Sequence, residues 1–247
     1  MTRWTVRPQA GTDIDQLLTT TPARIGIGRA GVRPPTQDWL LFRCDHALAR
    51  DAVKSEFSRR FIEFAENSGF PVVQTLAVDK RDFIQFPPKG KRVHPDSIAA
   101  LKKSCPQNKQ VHVTISGGLS ARAIETNLPE FLPALLSGLA QEGITHGTPV
   151  VVPYGRVAAG DHLTDEMGMR LSIILIGERP GLSAANSMSA YLTYNAGPST
   201  ISSDRTVVSN IHPRGMLPLQ AAQTVVQLAK RILQAQVSGV RFQSLHT

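Results

Sequence analysis

Three short loops carry the residues of this chain best suited to chemistry. They are Ser116-Gly117-Gly118-Leu119-Ser120, Tyr154-Gly155-Arg156-Val157 and Gly177-Glu178-Arg179-Pro180-Gly181. Together they offer a carboxylate, guanidinium groups, hydroxyls and backbone amides, a set that recognises a polar ligand. Glu178 ends a very apolar run, where a carboxylate is costly unless satisfied. It either pairs with Arg179 or Arg205, or accepts hydrogens from a ligand amide or hydroxyl. Arg156 is either a surface ion pair or a contact to a ligand phosphate or amide. Ser116 opens the first loop and joins the candidate set.

Other patterns point to less. Gly26-Ile27-Gly28-Arg29-Ala30-Gly31 matches GxGxxG, but a dinucleotide fingerprint needs a strand before it and a helix after it. Pro34-Pro35 forbids a helix at that place, so a tight glycine loop is expected and a stand-alone NAD oxidoreductase is disfavoured. No GxxxxGK[ST] is present. Ser120 and Ser183 lack the second glycine of a nucleophile elbow and read as helix caps or ligand donors. The seven histidines form no HExxH or HxxxH pair. Cys44 and Cys105 are expected to be reduced and partly buried. No set of groups for bond making stands out, so no catalytic residue is assigned.

The three loops need a scaffold. Each follows a run that reads as a buried parallel strand, at 111–115, 149–152 and 171–176. Loops at the carboxyl ends of strands in an open α/β sheet line one ligand crevice. Helices are expected at 121–125 and 129–141, with a short one at 164–167. Further strands are expected at 190–194 and 206–211. An amphipathic helix should span 218–236, with Pro218 in its first turn and Gly239 just past its end. The fold expected is thus α/β, a mostly parallel sheet with flanking helices over 107–247.

Residues 1–106 form a smaller helical and irregular region, with the boundary near Pro106. A lead-in with a helix near 13–18 precedes an irregular loop at 21–35. Thr36 is expected to cap a helix through Trp39, Leu40, Leu41, Cys44, Leu48 and Val53. Short strands and turns are expected at 71–94, and Asp96 should cap a helix at 97–104.

Composition fits a globular chain: 247 residues, 41% hydrophobic and 19% charged. No apolar run approaches the ~20 residues of a membrane helix, and the start lacks the apolar core of a signal peptide. A cytoplasmic address is the default expectation. The net charge of +8 calls for a partner or an anionic ligand. Three Tyr and two Trp, without basic–aromatic interleaving, disfavour nucleic acid.

Several segments, in order from about residue 20 to 240, resemble the small (light) subunit of ethanolamine ammonia-lyase. They include Ala23-Arg24, Gly28-Arg29-Ala30-Gly31, Arg33-Pro34 and Leu40 to His46. Further on come Ile115-Ser116 with Gly118-Leu119-Ser120, Gly147-Thr148-Pro149 and Tyr154-Gly155-Arg156-Val157. Gly177-Glu178-Arg179-Pro180-Gly181-Leu182, Asp204-Arg205-Thr206 and Ser209-Asn210-Ile211-His212 complete the series. The resemblance implies a Rossmann-like subunit of an enzyme that converts ethanolamine to acetaldehyde and ammonia by a radical mechanism. It implies adenosylcobalamin held against a large subunit, a TIM-type barrel that mainly binds the ethanolamine and carries most of the chemistry. The implied assembly is a heterododecamer of six large and six small chains, with no nucleic acid and no membrane.

The same resemblance places the cobalamin contacts on Val157, Glu178 and Val207, with Arg156 and Ser116 beside them. The DxHxxG motif is absent, which implies that the cofactor is base-on, keeping its own dimethylbenzimidazole on cobalt. Departures accompany the match. The family commonly has Cys at the place of Val207, Asp at the place of Gly117, and Gln-Gly-Gly at the place of Pro213-Arg214-Gly215. The short N-terminus gives no support to packaging in a microcompartment. A cobalamin-binding subunit of a lyase or mutase for another small amine is the alternative reading.

Overall fold

The computed structural model describes residues 14–20 and 24–244. The segment read for a signal peptide, Asp13, Ala23 and His246 lie outside these. Near the start come α1 (Ile14–Thr20), α2 (Thr36–Lys54), α3 (Arg59–Asn67), α4 (Lys80–Gln85) and α5 (Pro95–Ser104). The α/β part follows as β1 (Val111–Ser116), α6 (Ala121–Gln141), β2 (Val150–Val152), α7 (Val157–Glu166) and β3 (Leu171–Gly177). It closes with β4 (Met188–Tyr194), β5 (Arg205–Ile211), α8 (Pro218–Ala235) and α9 (Gly239–Ser244).

The five strands form one mixed sheet in the order β2-β1-β3-β4-β5. β1 runs parallel to β2 and β3, as the apolar runs suggested. The β3–β4 and β4–β5 pairs are antiparallel, so the expected mostly parallel sheet holds only for three strands. The link from β3 to β4 is too short for a crossover helix, so the chain returns alongside itself. Every residue of β1 and β3 is buried, whereas β5 alternates as an edge strand with one wet face.

Two apolar layers sandwich the sheet. On one face, Val113, Ile173 and Leu192 meet Leu128 and Leu135 of α6 and Val225 of α8. On the other, Val150 and Val152 meet Ala159 and Leu163 of α7, with Ile98 and Leu101 of α5. Val73 and Val93, from the N-terminal region, pack into that second layer. A buried Leu cut to Ala in such layers costs about 2–5 kcal/mol.

Several local expectations are corrected. α6 is continuous through Pro129 and Pro133. The buried stripe of Leu128, Phe131, Leu132 and Leu135 holds it helical where two lost backbone donors argue for a break. α7 starts at Val157, well before the short helix expected at 164–167. Thr36 is the first helical residue after an N-cap at Pro35, and the α5 cap is His94, whose Nδ1 accepts from the Asp96 amide. Gln236, at φ 55°, terminates α8, and Gly239 opens α9. The GxGxxG segment is a loop with Gly26 and Gly31 at positive φ. Cys44 is exposed and Cys105 half-buried, both free thiols. None of the described helices is long and apolar enough to cross a membrane.

Candidate functional site

β2, β1 and β3 are adjacent and parallel, so the three loops leave the same edge of the sheet. With strands about 4.8 Å apart, the tips of β2 and β3 stand about 10 Å from each other. Ser116 is fully buried there. Its Oγ donates to the Gly155 carbonyl at 2.9 Å and accepts from the Gly118 amide at 3.3 Å. This hydroxyl ties the first loop to the second rather than facing solvent.

The chain itself covers part of this edge. Thr75 Oγ1 donates to the Tyr154 carbonyl at 3.0 Å, and the Arg156 amide donates to the Gly90 carbonyl at 2.7 Å. Lys80, at the start of α4, sends Nζ to the Gly118 carbonyl at 2.9 Å. The Arg156 guanidinium lies 4.2 Å from the centre of the Phe83 ring and donates to the Phe83 carbonyl at 3.0 Å. Residues of α4 and its flanks thus lie across the tips of β1 and β2. The crevice expected from all three loops is half-filled by this region, whose helix the reading of 71–94 as strands and turns did not contain.

The more open surface lies toward the β5 edge of the sheet. α7 packs over β3, with Gly160 pressed against Ile174. An added Cβ at Gly160 would come 2.9 Å from the Ile174 Cβ, so only glycine allows this approach. Asp161 of α7 then reaches the start of β5, where its Oδ2 accepts from Arg205 Nη2 at 2.6 Å. Burial raises the Asp161 carboxyl above its usual range, with Arg205 opposing. On β4 this face is still largely closed, with Ser189 and Thr193 fully buried; exposure begins at half-buried Tyr191 and widens on β5.

Along one row of the ladder, Ile174 stands opposite Tyr191, and Tyr191 opposite Val207. Ile174 is buried, Tyr191 is half-buried and Val207 is 46% exposed. The cover therefore ends between β3 and β5 and leaves an aromatic and an aliphatic side chain facing out. Tyr191 Oη donates to Glu178 Oε1 at 3.0 Å. Glu178 makes neither of the ion pairs its neighbours suggested, since Arg205 is taken by Asp161 and Arg179 is exposed. Its second carboxylate oxygen remains available as an acceptor. Burial first, and the Glu178 charge second, push the Tyr191 phenol up to about 12.

Val157, the first residue of α7, is half-buried at the same edge. The structure thus groups Val157, Glu178 and Arg156 at the strand tips and sets Val207 on the open face behind Glu178. Tyr191 and Lys80 were absent from the sequence-derived set. One tyrosine in a strand and one lysine at the start of a short helix carry no signal of their own; only the register and the chain crossing reveal them.

Two other features lie apart. A concavity of about 410 Å³ between α5 and α7 is lined by Leu76, Ile98, Lys102, His162 and Glu166. It is mostly a shallow apolar groove beside the 2.6 Å Lys102–Glu166 ion pair, remote from Glu178. Beneath α7, His112 is fully buried with both ring nitrogens unpaired, and burial holds it neutral with its pKa lowered to about 4. Among the described residues no group of three or more His, Cys, Asp or Glu gathers as a metal site.

The family model described as ethanolamine ammonia-lyase light chain matches residues 12–243, which spans the N-terminal helices, the sheet and α8. Of the segments that resembled this family in the sequence, those around Ser116, Tyr154, Glu178 and Val207 are the ones seen at the strand tips and on β5. This chain belongs to the ethanolamine ammonia-lyase light chain (EutC) family.

Proposed function

We propose that this chain is the small subunit of an adenosylcobalamin-dependent ethanolamine ammonia-lyase and holds the cofactor against the large subunit. The exposed strip at Tyr191 and Val207 is the observation that carries the reading. A corrin is broad, flat and fringed with amides. Val207 and Tyr191 offer a flat surface for such a ring, and Glu178 offers a carboxylate oxygen for an amide N–H. Val157 and Arg156 border that surface at the strand tips. The donor set therefore fits the group, and the exchange of the family's usual Cys for Val207 keeps an apolar contact.

When bound, the cofactor supplies the radical chemistry, which protein side chains alone do not provide. This chain binds, orients and shields it. Glu178, held by Tyr191, fixes the ring's edge, and Val207 with Val157 excludes water from its face. No acid or base is required from these residues. The base-on form is supported by the absence of a DxHxxG motif in the sequence.

The N-terminal region is assigned to the large subunit. α2 buries only Ala49 and Ala52 and leaves Trp39, Leu40, Phe42 and Leu48 exposed. An apolar helix of this kind marks a protein interface. Arg29, Arg33 and Arg50 surround it with positive charge, which suits an acidic partner face.

Co-expression with the large subunit and an ammonia-release assay test the reading. Ammonia from ethanolamine should require both chains and adenosylcobalamin. Release from a different small amine, with none from ethanolamine, would overturn it.

A further inference from the structure

Three cations converge where the strand tips meet α4, and none has a carboxylate at ion-pair distance among the described residues. Lys80 is only 9% exposed, yet its ammonium, with three donors, has a single acceptor, the Gly118 carbonyl. Arg156 has a buried Nε with no acceptor. Both cations adjoin the same ring, with Lys80 Nζ 5.6 Å and the Arg156 guanidinium carbon 4.2 Å from the Phe83 centroid. Arg179, two residues past β3, repels Arg156. Glu56 opposes this charge from beyond ion-pair distance of Lys80, and its Oε1 accepts from Tyr154 Oη at 2.8 Å.

Like charges with unfilled buried donors are costly to gather unless an anion joins them. The cost of burial appears in Lys80, which desolvation brings down to about 8 against the opposing pull of Glu56, with Arg156 adding a smaller push in the same direction as burial. A neutral amide fringe answers none of this charge. A phosphate oxygen answers it, because it accepts from ammonium and guanidinium donors together.

We propose that Lys80, Arg156 and Arg179 form an anion subsite for the phosphodiester of the bound cofactor's nucleotide tail; this rests on the cobalamin reading above. The subsite separates two jobs on this edge. Glu178, Tyr191 and Val207 meet the ring, and the cations at the neighbouring strand tips fix the tail. Arg156 is thereby given a phosphate contact rather than an amide contact. Lys80 brings the N-terminal region into the ligand site.

The test uses the co-expressed complex and equilibrium dialysis with three probes: cobalamin, cobinamide phosphate and cobinamide. The last two differ by the phosphate alone. The wild-type complex should favour cobinamide phosphate over cobinamide by about tenfold, the worth of one charged hydrogen bond. Arg179→Gln, at an exposed side chain, and Lys80→Met should shrink that preference and leave cobinamide affinity unchanged. Arg156→Lys, which keeps the charge, should retain part of it. Equal losses for both cobinamides would assign these residues to the ring or the fold and overturn the proposal. An unchanged preference alongside weaker subunit association would assign them to partner carboxylates and overturn it too. If the wild-type complex binds none of the three probes, the cobalamin reading itself fails, a result distinct from loss of the phosphate preference alone.

Discussion

The Tyr191 phenol donates a 3.0 Å hydrogen bond to Glu178 Oε1 and so fixes the carboxylate at the tip of β3 from the neighbouring antiparallel strand. The bond couples two half-buried residues beside the exposed strip of β5. It also makes the Glu178 charge measurable through the phenol. Burial and that charge hold Tyr191 at about 12, and Arg205 opposes them. In Glu178→Gln the charge is gone, so the phenolate absorbance of one tyrosine should appear at lower pH than in wild type. Identical titration curves would mean that the pair does not exist in solution. Tyr191→Phe should weaken cobalamin binding by about 2- to 10-fold, as expected for one hydrogen bond.

Gly117, where the family resemblance leads us to expect Asp, has no room for a side chain. A Cβ at Gly117 would lie 2.6 Å from the Pro153 carbonyl oxygen and 3.4 Å from the Phe57 ring. The backbone of the second loop has closed over the position. Gly117→Asp should therefore cost about 1–3 kcal/mol through overpacking, with a further penalty from a carboxylate beside a carbonyl. The urea midpoint should fall. A midpoint equal to or above wild type would show that the loop can open to admit the side chain.

Acid should weaken this protein through His112. Its folded pKa, about 4, lies below the ordinary 6.5, because burial disfavours the imidazolium. Between these values the unfolded chain binds the proton and the folded chain does not, so stability rises with pH across that window. It is lost as pH falls from about 6.5 to about 4, by about 2 kcal/mol at pH 5. Urea unfolding of wild type and His112→Leu at neutral pH and near pH 5 checks the sign. The variant should lose less stability than wild type on acidification. Equal losses would assign the acid sensitivity to other groups.

The parallel core of the sheet was readable because β1 and β3 are buried on both faces and their apolar runs admit little else. α8 showed through its stripe of Ala222, Val225, Val226, Ala229 and Leu233, of which the first four are buried and Leu233 is half-buried. Strand direction was not readable, since Met188–Tyr194 has the same composition whether it pairs parallel or antiparallel. α4 escaped notice because six residues ending before Pro87-Pro88 give too few turns for a periodic signal. Its consequence for the site was equally hidden, as Lys80 and Gly118 are 38 residues apart. The proline rule misled at α6, where tertiary burial outweighs two missing amide donors. Glu178 was singled out correctly as a carboxylate needing a partner, but the partner, Tyr191, depends on register that only pairing defines.

The claim on which the function rests is that the open face at Val207 carries the corrin. Equilibrium dialysis of cobalamin against the co-expressed complex, comparing wild type with Val207→Trp, tests it most directly. Val207 is an exposed edge-strand residue, so the larger side chain should leave folding and subunit association intact. It should raise the cobalamin dissociation constant by about tenfold or more, because an indole occupies the surface meant for the ring. An unaltered dissociation constant in an intact complex would contradict the account.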